Sequence, residues 1–385
     1  MRYLWEAIHT ILESYKGKEP LALFLKAFFR DHPKLGSRDR RVISEAVFCW
    51  YRAGKGFPAA AEEEKRVQAA ILLCSTVEQA QMLLPEDWQA MVGKSFDGKL
   101  RFLAEEGMAF TLTDLFPYEL PFSEGIEVAD WDRALLQQPR LFLRLRVPVG
   151  EVKPLLLSAG IPYETPSPTT LSLPNGTDIK EVLPLEAYVV QDLSSQRVGE
   201  VFKPAPHEAW WDTCAGAGGK SIHLKDMEPR VAIIATDIRP AILQNLVTRF
   251  RRYKLSPPET HVLDAADAGK TKKVVGSRRF DDILCDVPCT GSGTWARTPE
   301  GAYFFDPESV KVYTARQRAI LTNAVDYLKP DGRIVYATCS VFQAENEDVI
   351  EAVSHKKGLR IESSTLISGV EQQADSLFVA VLRRG

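Results

Sequence analysis

Two cysteines stand where apolar runs end. Cys289 lies in "DDILCDVPCTGSGTW", Asp281 to Trp295, where the run closes on Asp286 before Pro288-Cys289 and a glycine-rich turn. Cys339 lies in "GRIVYATCSVFQAENED", Gly332 to Asp348, a matching setting later in the chain. A thiol so placed can form a disulfide, ligate a metal, pack as a core group or act as a nucleophile. Six cysteines in 385 residues do not make a disulfide scaffold. Cys49 and Cys74 fall in apolar helical patterns and read as core thiols. Cys285 and Cys289 are near neighbours, but no Cys/His pair at zinc-finger spacing accompanies them, and no metal is expected. In a reducing compartment, catalysis becomes a serious reading for the remaining thiols.

Other residues point the same way. Asp212, Asp237, Asp264 and Asp286 each close a strand-like run, one βα unit apart. In an open parallel sheet, ligands bind at the carboxyl ends of the strands. The first run enters "DTCAGAGGKS", where Gly216, Gly218 and Gly219 let bare backbone approach a ligand and open a helix. Two phosphate-binding loops nearly match. A dinucleotide fingerprint needs a third glycine where Ser221 stands, and a Walker loop needs a glycine where Cys214 stands. A nucleoside ligand without a phosphate chain suits the pattern better. Asp237 would accept from both ribose hydroxyls, Asp264 would face an adenine edge, and Asp286 would lie nearest the reacting end. A single strand-end Asp is as readily a helix N-cap, but four in register favour a cleft.

The cofactor inferred from these residues is S-adenosylmethionine. Carbon 5 of a cytosine is a poor nucleophile. A thiolate adding to carbon 6 makes carbon 5 enamine-like, able to take a methyl group. That chemistry needs a nucleophilic Cys, an acid near N3 and a second group to help break the adduct. Asp286-Val287-Pro288-Cys289 and Thr338-Cys339-Ser340 supply those types. A helix after each Cys is expected to lower its thiol pKa.

The elements that must hold these residues follow from hydrophobic spacing. Residues 1–130 read as all-helical. Leu4, Trp5, Ile8, Ile11 and Leu12 form one buried face, and Val42, Ile43, Ala46, Val47 and Trp50 another, behind Ser37 as N-cap. Further helices are expected in "EEEKRVQAAILLCS" and "PEDWQAMVGKSF". A breaker-rich connector leads to a small α+β module, residues 139–192, with the basic strand "RLFLRLRV". From residue 193 to 385 strands alternate with helices, which predicts a doubly wound parallel sheet.

Hydrophobic content is 45%, charged content 26% and net charge −3, with a pI of about 6.2. That balance gives no global argument for nucleic acid, so any polyanion site must be a local patch. Arg140, Arg144 and Arg146 of the basic strand, Arg249, Arg251 and Arg252 of "RFRRYK", and Arg297 are the candidates for RNA contact. "KTKKVVGSRR" is a further basic run. A solvated face is the ordinary explanation of each. No apolar run approaches the roughly 18 residues of a membrane span, and the N-terminus lacks a signal-peptide pattern. A cytoplasmic monomer is expected.

The C-terminal half resembles the RNA cytosine-5 methyltransferases of the RsmB/Sun family, bacterial 16S rRNA type. The segments that match in order are "VVQDLSSQ", "DTCAGAGGKSIHL", "ATD", "DVPCTGSGTWARTPE", "QRAILTNAVDYLKPDGRIVYATCSVFQAENEDVI" and "DSLFVAVLRR". The resemblance implies a Rossmann-like class I S-adenosylmethionine-dependent methyltransferase domain. It makes Cys339 the nucleophile, Cys289 the aid to product release, Asp286 a contact to cofactor and base, and Lys220 an active-site residue. Cofactor contacts would come from Cys214, Ala215, Gly216, Ala217, Gly218, Gly219, Lys220, Asp237, Asp264 and Asp286. DNA cytosine-5 methyltransferases use the Pro-Cys thiol instead, so Cys289 stays the alternative nucleophile. "GSRDRRVISEAVFCWYR" resembles a NusB-like RNA-binding domain, and residues 139–192 resemble the family's intervening domain. Gly216-Ala217 replaces the family's Ala-Pro, which loosens the loop. "TPEGAYFF" and Asp375-Ser376-Leu377-Phe378 also depart from the family pattern, which bears on the RNA target. The expected activity is methylation of a cytosine in small-subunit ribosomal RNA. Transfer RNA, a non-catalytic assembly factor and a P-loop NTPase are the competing readings.

Overall fold

The structure, a computed structural model, describes residues 1–384. The chain divides into two units. The first comprises Met1–Glu119, Glu127–Gln138 and Thr294–Asp306. The second comprises Leu120–Ile126, Pro139–Gly293 and the chain from Pro307 onward. No helix of the described residues is long and apolar enough to cross a membrane.

The first unit is helical, as the spacing predicts. Helix Arg2–Ser14 buries Leu4, Ile8 and Ile11, and helix Ser37–Ala53 buries Val42, Ile43, Ala46 and Val47. Ser37 is the first helical residue rather than the cap. Gly36 caps the helix, and its N–H donates to Asp39 Oδ2 at 3.0 Å. Of the expected helix over "PEDWQAMVGKSF" only the turn Glu86–Gln89 forms, and a separate helix, Phe96–Glu105, begins at the segment's last residue. Ser95 restarts the helix by accepting from the Gly98 N–H at 3.2 Å.

Thr294–Asp306, expected in the catalytic part, belongs to this helical unit. Its residues pack against the rest of that unit. Glu300 Oε1 accepts from the Leu21 N–H at 3.0 Å, and Phe304 lies edge-on to Tyr15 at 5.7 Å. The Arg52 guanidinium is buried and donates to the carbonyls of Leu135, Gln137 and Ala296. Conversely, Leu120–Ile126 belongs to the second unit. There the Ser123 N–H donates to the Val341 carbonyl at 2.8 Å.

The second unit holds two sheets. The smaller contains β1 (Leu141–Leu145), β2 (Glu164–Ser167), β3 (Thr170–Leu173) and β4 (Tyr188–Val190), in the antiparallel order β2-β3-β1-β4. Leu143 and Leu145 pack against Val152, Leu156, Leu171 and Leu173. Arg144 points to the other face, yet it is only 5% exposed. Its guanidinium donates to Gln191 Oε1 at 2.8 Å and to Asp226 Oδ2 at 2.7 Å. Arg146 donates to Asp226 Oδ1 at 3.0 Å and to the Glu186 carbonyl at 2.9 Å. Arg140 is held by Ser172 and Glu164. The expectation that Arg144 and Arg146 grip RNA is corrected here, because Asp226 occupies both within the protein. Asp226→Ala is expected to destabilise the protein by about 3–5 kcal/mol, since it strands a buried guanidinium. Urea unfolding of the native protein and the variant measures this, and a loss under about 1 kcal/mol would contradict it.

The larger sheet contains β5 (Ala209–Asp212), β6 (Ala232–Asp237), β7 (Glu259–Val262), β8 (Phe280–Asp286), β9 (Leu328–Thr338), β10 (Leu359–Ile367) and β11 (Leu377–Arg384). The order is β10-β11-β9-β8-β5-β6-β7. The five strands β7 to β9 pair in parallel, while β11 runs antiparallel to both β9 and β10. The sheet is therefore mixed rather than wholly parallel. Trp211, Ile283, Ile334, Tyr336 and Phe378 face one apolar layer, and Trp210, Leu284, Val335, Ala337 and Val379 the other. Burial on both faces explains why these strands read as unbroken apolar runs. Strand order reverses between β5 and β8, so the crevice of the sheet opens beyond their carboxyl ends.

Candidate active site

The first wall of the crevice is the loop after β5. Gly216 has φ +52° and donates its N–H to Asp237 Oδ2 at 3.0 Å. Gly218 has φ +79°, and a Cβ there would stand 2.7 Å from Leu246. These two turns need glycine and bring the loop into helix Gly219–Met227. Arg249, expected to contact RNA, instead donates to the Ala217 carbonyl at 2.7 Å and braces the loop. Arg251 and Arg252 are exposed, as is Arg297 in the helical unit.

Asp212 lies beneath this loop and does not line the cleft, although the sequence grouped it with the other three acids. It is 3% exposed and accepts from Ser221 Oγ at 2.6 Å. Burial pushes its carboxyl up to about 7, against the hydrogen bond from Ser221. A carboxyl raised in the fold holds its proton there when the unfolded chain has lost it. Its contribution to stability therefore falls as pH rises from about 4 to about 7. Asp212→Asn is expected to flatten that part of the profile, by an amount on the order of a few kcal/mol across the window. Denaturant unfolding at pH 4 to 8 checks this, and parallel profiles for both proteins would contradict it.

The cleft has a volume of about 540 Å³. Every residue expected to bind cofactor or do chemistry lines it except Gly218. Asp237 closes β6, Asp264 follows β7, and Asp286 closes β8. Burial disfavours the Asp237 carboxylate, but hydrogen bonds from Arg239 and Gly216 overcome this and hold its pKa below the usual range. Arg239 grips Asp237 through its backbone N–H, Nε and Nη2 at 2.9, 2.9 and 3.0 Å. Arg316 Nη2 donates to Asp264 Oδ1 at 2.8 Å. Lys220 Nζ lies 2.7 Å from Asp286 Oδ2. Burial alone would lower the Lys220 ammonium, but the Asp286 charge and hydrogen bond outweigh it and its pKa is raised.

The residues fit S-adenosylmethionine. Gly216 and Gly219 have open space where side chains would stand, leaving bare backbone beside the acids. The Arg239 side chain is 60% exposed and can swing into solvent, where a ribose diol would replace its hydrogen bonds to the Asp237 carboxylate. The volume suits a nucleoside-sized ligand.

At the far end of the cleft, Cys289 Sγ and Cys339 Sγ are 3.3 Å apart. The hydrogen bond with Cys339 and then burial keep the Cys289 thiol well above its ordinary range, with the Glu345 charge adding to both. Burial likewise raises Cys214, and it pushes Cys285 up to about 12, so neither is a nucleophile at neutral pH. No α-helix starts directly after either reactive cysteine, contrary to expectation. Short 3₁₀ turns, Ser292–Thr294 and Gln343–Glu345, stand there instead. Arg239, Arg316, Gln317 and Glu345 are the site residues that sequence reasoning missed. Gln317 and Glu345 lie inside quoted motifs, "QRAILTNAV" and "QAENED", but nothing local to either tells of a bond to the cysteine loops.

Comparison with known proteins agrees with this geometry. Residues 200–380 match the family model described as 16S rRNA methyltransferase RsmB/F. Ribosomal RNA small subunit methyltransferase B of Shewanella oneidensis is 33% identical over 163 residues, 42% of this chain and 37% of that protein. The homonymous protein of Xylella fastidiosa is 34% identical over 166 residues, again 42% of this chain and 38% of that one. The match thus spans under half the length of these relatives. Among solved structures, PH0851 superposes with a TM-score of 0.71 at 21% identity, covering 98% of this chain and 97% of that one. A methyltransferase homologue from Pyrococcus horikoshii gives 0.59 at 20% identity, covering 74% and 98%. The larger sheet shares the Rossmann-like fold of these structures. In fold, in sequence match and in motifs, residues 200–380 are similar to the 16S rRNA methyltransferase RsmB/F family.

Proposed function

We propose that this chain methylates carbon 5 of a cytosine in RNA, with small-subunit ribosomal RNA as the substrate. One observation carries the reading. Two thiols in contact lie in the same cleft as the Lys220–Asp286 pair. The relatives, ribosomal RNA small subunit methyltransferases, supply the RNA class. S-adenosylmethionine, when bound against Asp237, Asp264 and the Cys214–Lys220 loop, supplies the methyl group.

The residues of the chain do the rest. The Cys339 thiolate adds to carbon 6, and the Lys220–Asp286 pair provides the proton taken up at N3. Carbon 5, now enamine-like, takes the methyl group. Loss of the carbon 5 proton to solvent then expels Cys339, and the N3 proton returns to the Lys220–Asp286 pair as the ring is restored. Cys289, kept as a thiol, donates its S–H to the Cys339 sulfur and stabilises it as it leaves. The net change is methyl for hydrogen at carbon 5, with one proton released. The target base must be unpaired or splayed out, because the thiol attacks its face. Arg251, Arg252 and Arg297 are the exposed cations proposed to meet phosphates.

The test is methyl-labelled S-adenosylmethionine with unmodified small-subunit ribosomal RNA, digested to nucleosides. Label in 5-methylcytidine is expected. Label only with transfer RNA would change the substrate. Neither label nor cofactor binding would leave a non-catalytic RNA-binding factor.

A further inference from the structure

The mechanism above uses both thiols but not the buried carboxylate between their loops. Glu345 is 0% exposed. It accepts from the Thr290 N–H at 2.9 Å, Thr290 Oγ1 at 2.5 Å, Ser340 Oγ at 2.6 Å and Gln317 Nε2 at 3.1 Å. Thr290 directly follows Cys289, and Ser340 directly follows Cys339. Gln317 Nε2 also donates to the Pro288 carbonyl, at 2.9 Å.

A carboxylate has about four lone-pair directions, and here all are filled by donors from the loops and the helix beside them. Other ties exist, such as Gly293 N–H to the Cys339 carbonyl and Ser292 Oγ near Ser340 Oγ. Glu345 is the one charged member, and it reaches the residue after each cysteine. Charge-assisted bonds are shorter and stiffer than neutral ones, which suits a clamp that fixes a distance. A neutral apolar residue here would leave buried donors unpaired, at the cost of the geometry they hold.

We propose that Glu345 is a positioning residue that fixes the contact between Cys289 and Cys339, so that a proton passes between the two sulfurs. The proposal rests on the two-cysteine reading of the site, and its test does not depend on activity. Diamide oxidises paired thiols. The two thiols lose two protons and two electrons, which the diazene takes up to become a hydrazine. The rate of Cys289–Cys339 crosslinking, mapped by peptide mass spectrometry without RNA or cofactor, therefore reports thiol proximity.

The native protein is expected to crosslink readily, and Glu345→Ala about tenfold more slowly, because small displacements of paired groups cost large factors in rate. Thr290→Val and Ser340→Ala each remove one arm of the clamp and are expected to slow crosslinking about threefold. Combined, they should be no slower than Glu345→Ala, because they act through one group. Binding of S-adenosylhomocysteine at the other end of the cleft shows that each variant is folded. If Glu345→Ala does not fold, the two loop variants carry the test. In turnover, the variants should lower kcat with little change in KM for RNA or cofactor. Unchanged crosslinking in folded variants, or no crosslink in the native protein, overturns the proposal. Crosslinking that depends on Glu345 in a protein that methylates nothing would overturn the proposed function and leave the clamp standing.

Discussion

Cys339→Ala is expected to abolish methyl transfer, with kcat falling roughly 10⁴-fold or more, as for loss of other covalent nucleophiles. In the proposed reaction the Cys339 sulfur makes carbon 5 reactive, so its removal leaves that step without its nucleophile. Cofactor binding should survive, because Asp237, Asp264 and the Cys214–Lys220 loop are untouched. Binding of S-adenosylhomocysteine beside label incorporation separates the two effects. Substantial turnover in Cys339→Ala would return Cys289 to consideration as the nucleophile.

Cys289→Ala has a different expected signature. The attack on carbon 6 and the methyl transfer remain possible, but the departing Cys339 sulfur loses the neighbouring thiol 3.3 Å away. Turnover should fall about 100-fold or more, in the range of a lost acid–base group. A covalent protein–RNA complex should accumulate, stable to denaturing electrophoresis and dependent on S-adenosylmethionine. Simple loss of activity with no complex would show that Cys289 acts before or during methyl transfer, not at release.

Much of this site was legible in the sequence because strand ends are legible. A strand buried on both faces is a continuous apolar run, so its end is marked by the first polar residue. Asp237, Asp286 and Cys339 were found that way, and the fold does bring them to one cleft. What a strand end does not give is side-chain direction, and so Asp212 was grouped with acids that line the cleft while it lies buried under the glycine loop.

Partners distant in the chain were also invisible. The alternating basic strand read as a phosphate-binding face, because nothing near Arg144 and Arg146 announces Asp226 on another element. Glu345 has the same history, with donors from three separate segments. The aromatic run Tyr303-Phe304-Phe305 sits beside catalytic motifs in sequence but packs on the helical unit, where the exposed Phe304 meets Tyr15 and Tyr51. Strand direction was hidden for a related reason. An apolar run such as "LFVAVL" satisfies two buried faces whichever way it runs, so β11 could be read as parallel.

Cys339 is proposed here as the sulfur that bonds to a cytosine of RNA. The most direct measurement uses the native protein with ribosomal RNA containing 5-fluorocytidine. Fluorine at carbon 5 leaves no proton to lose after methyl transfer, so the adduct cannot collapse. Digestion with protease and nuclease, followed by mass spectrometry, identifies the peptide that carries the nucleotide. A modified cytidine on Cys339 is the predicted result. The same nucleotide on Cys289, or a protein that methylates RNA and yet carries no adduct, would contradict it.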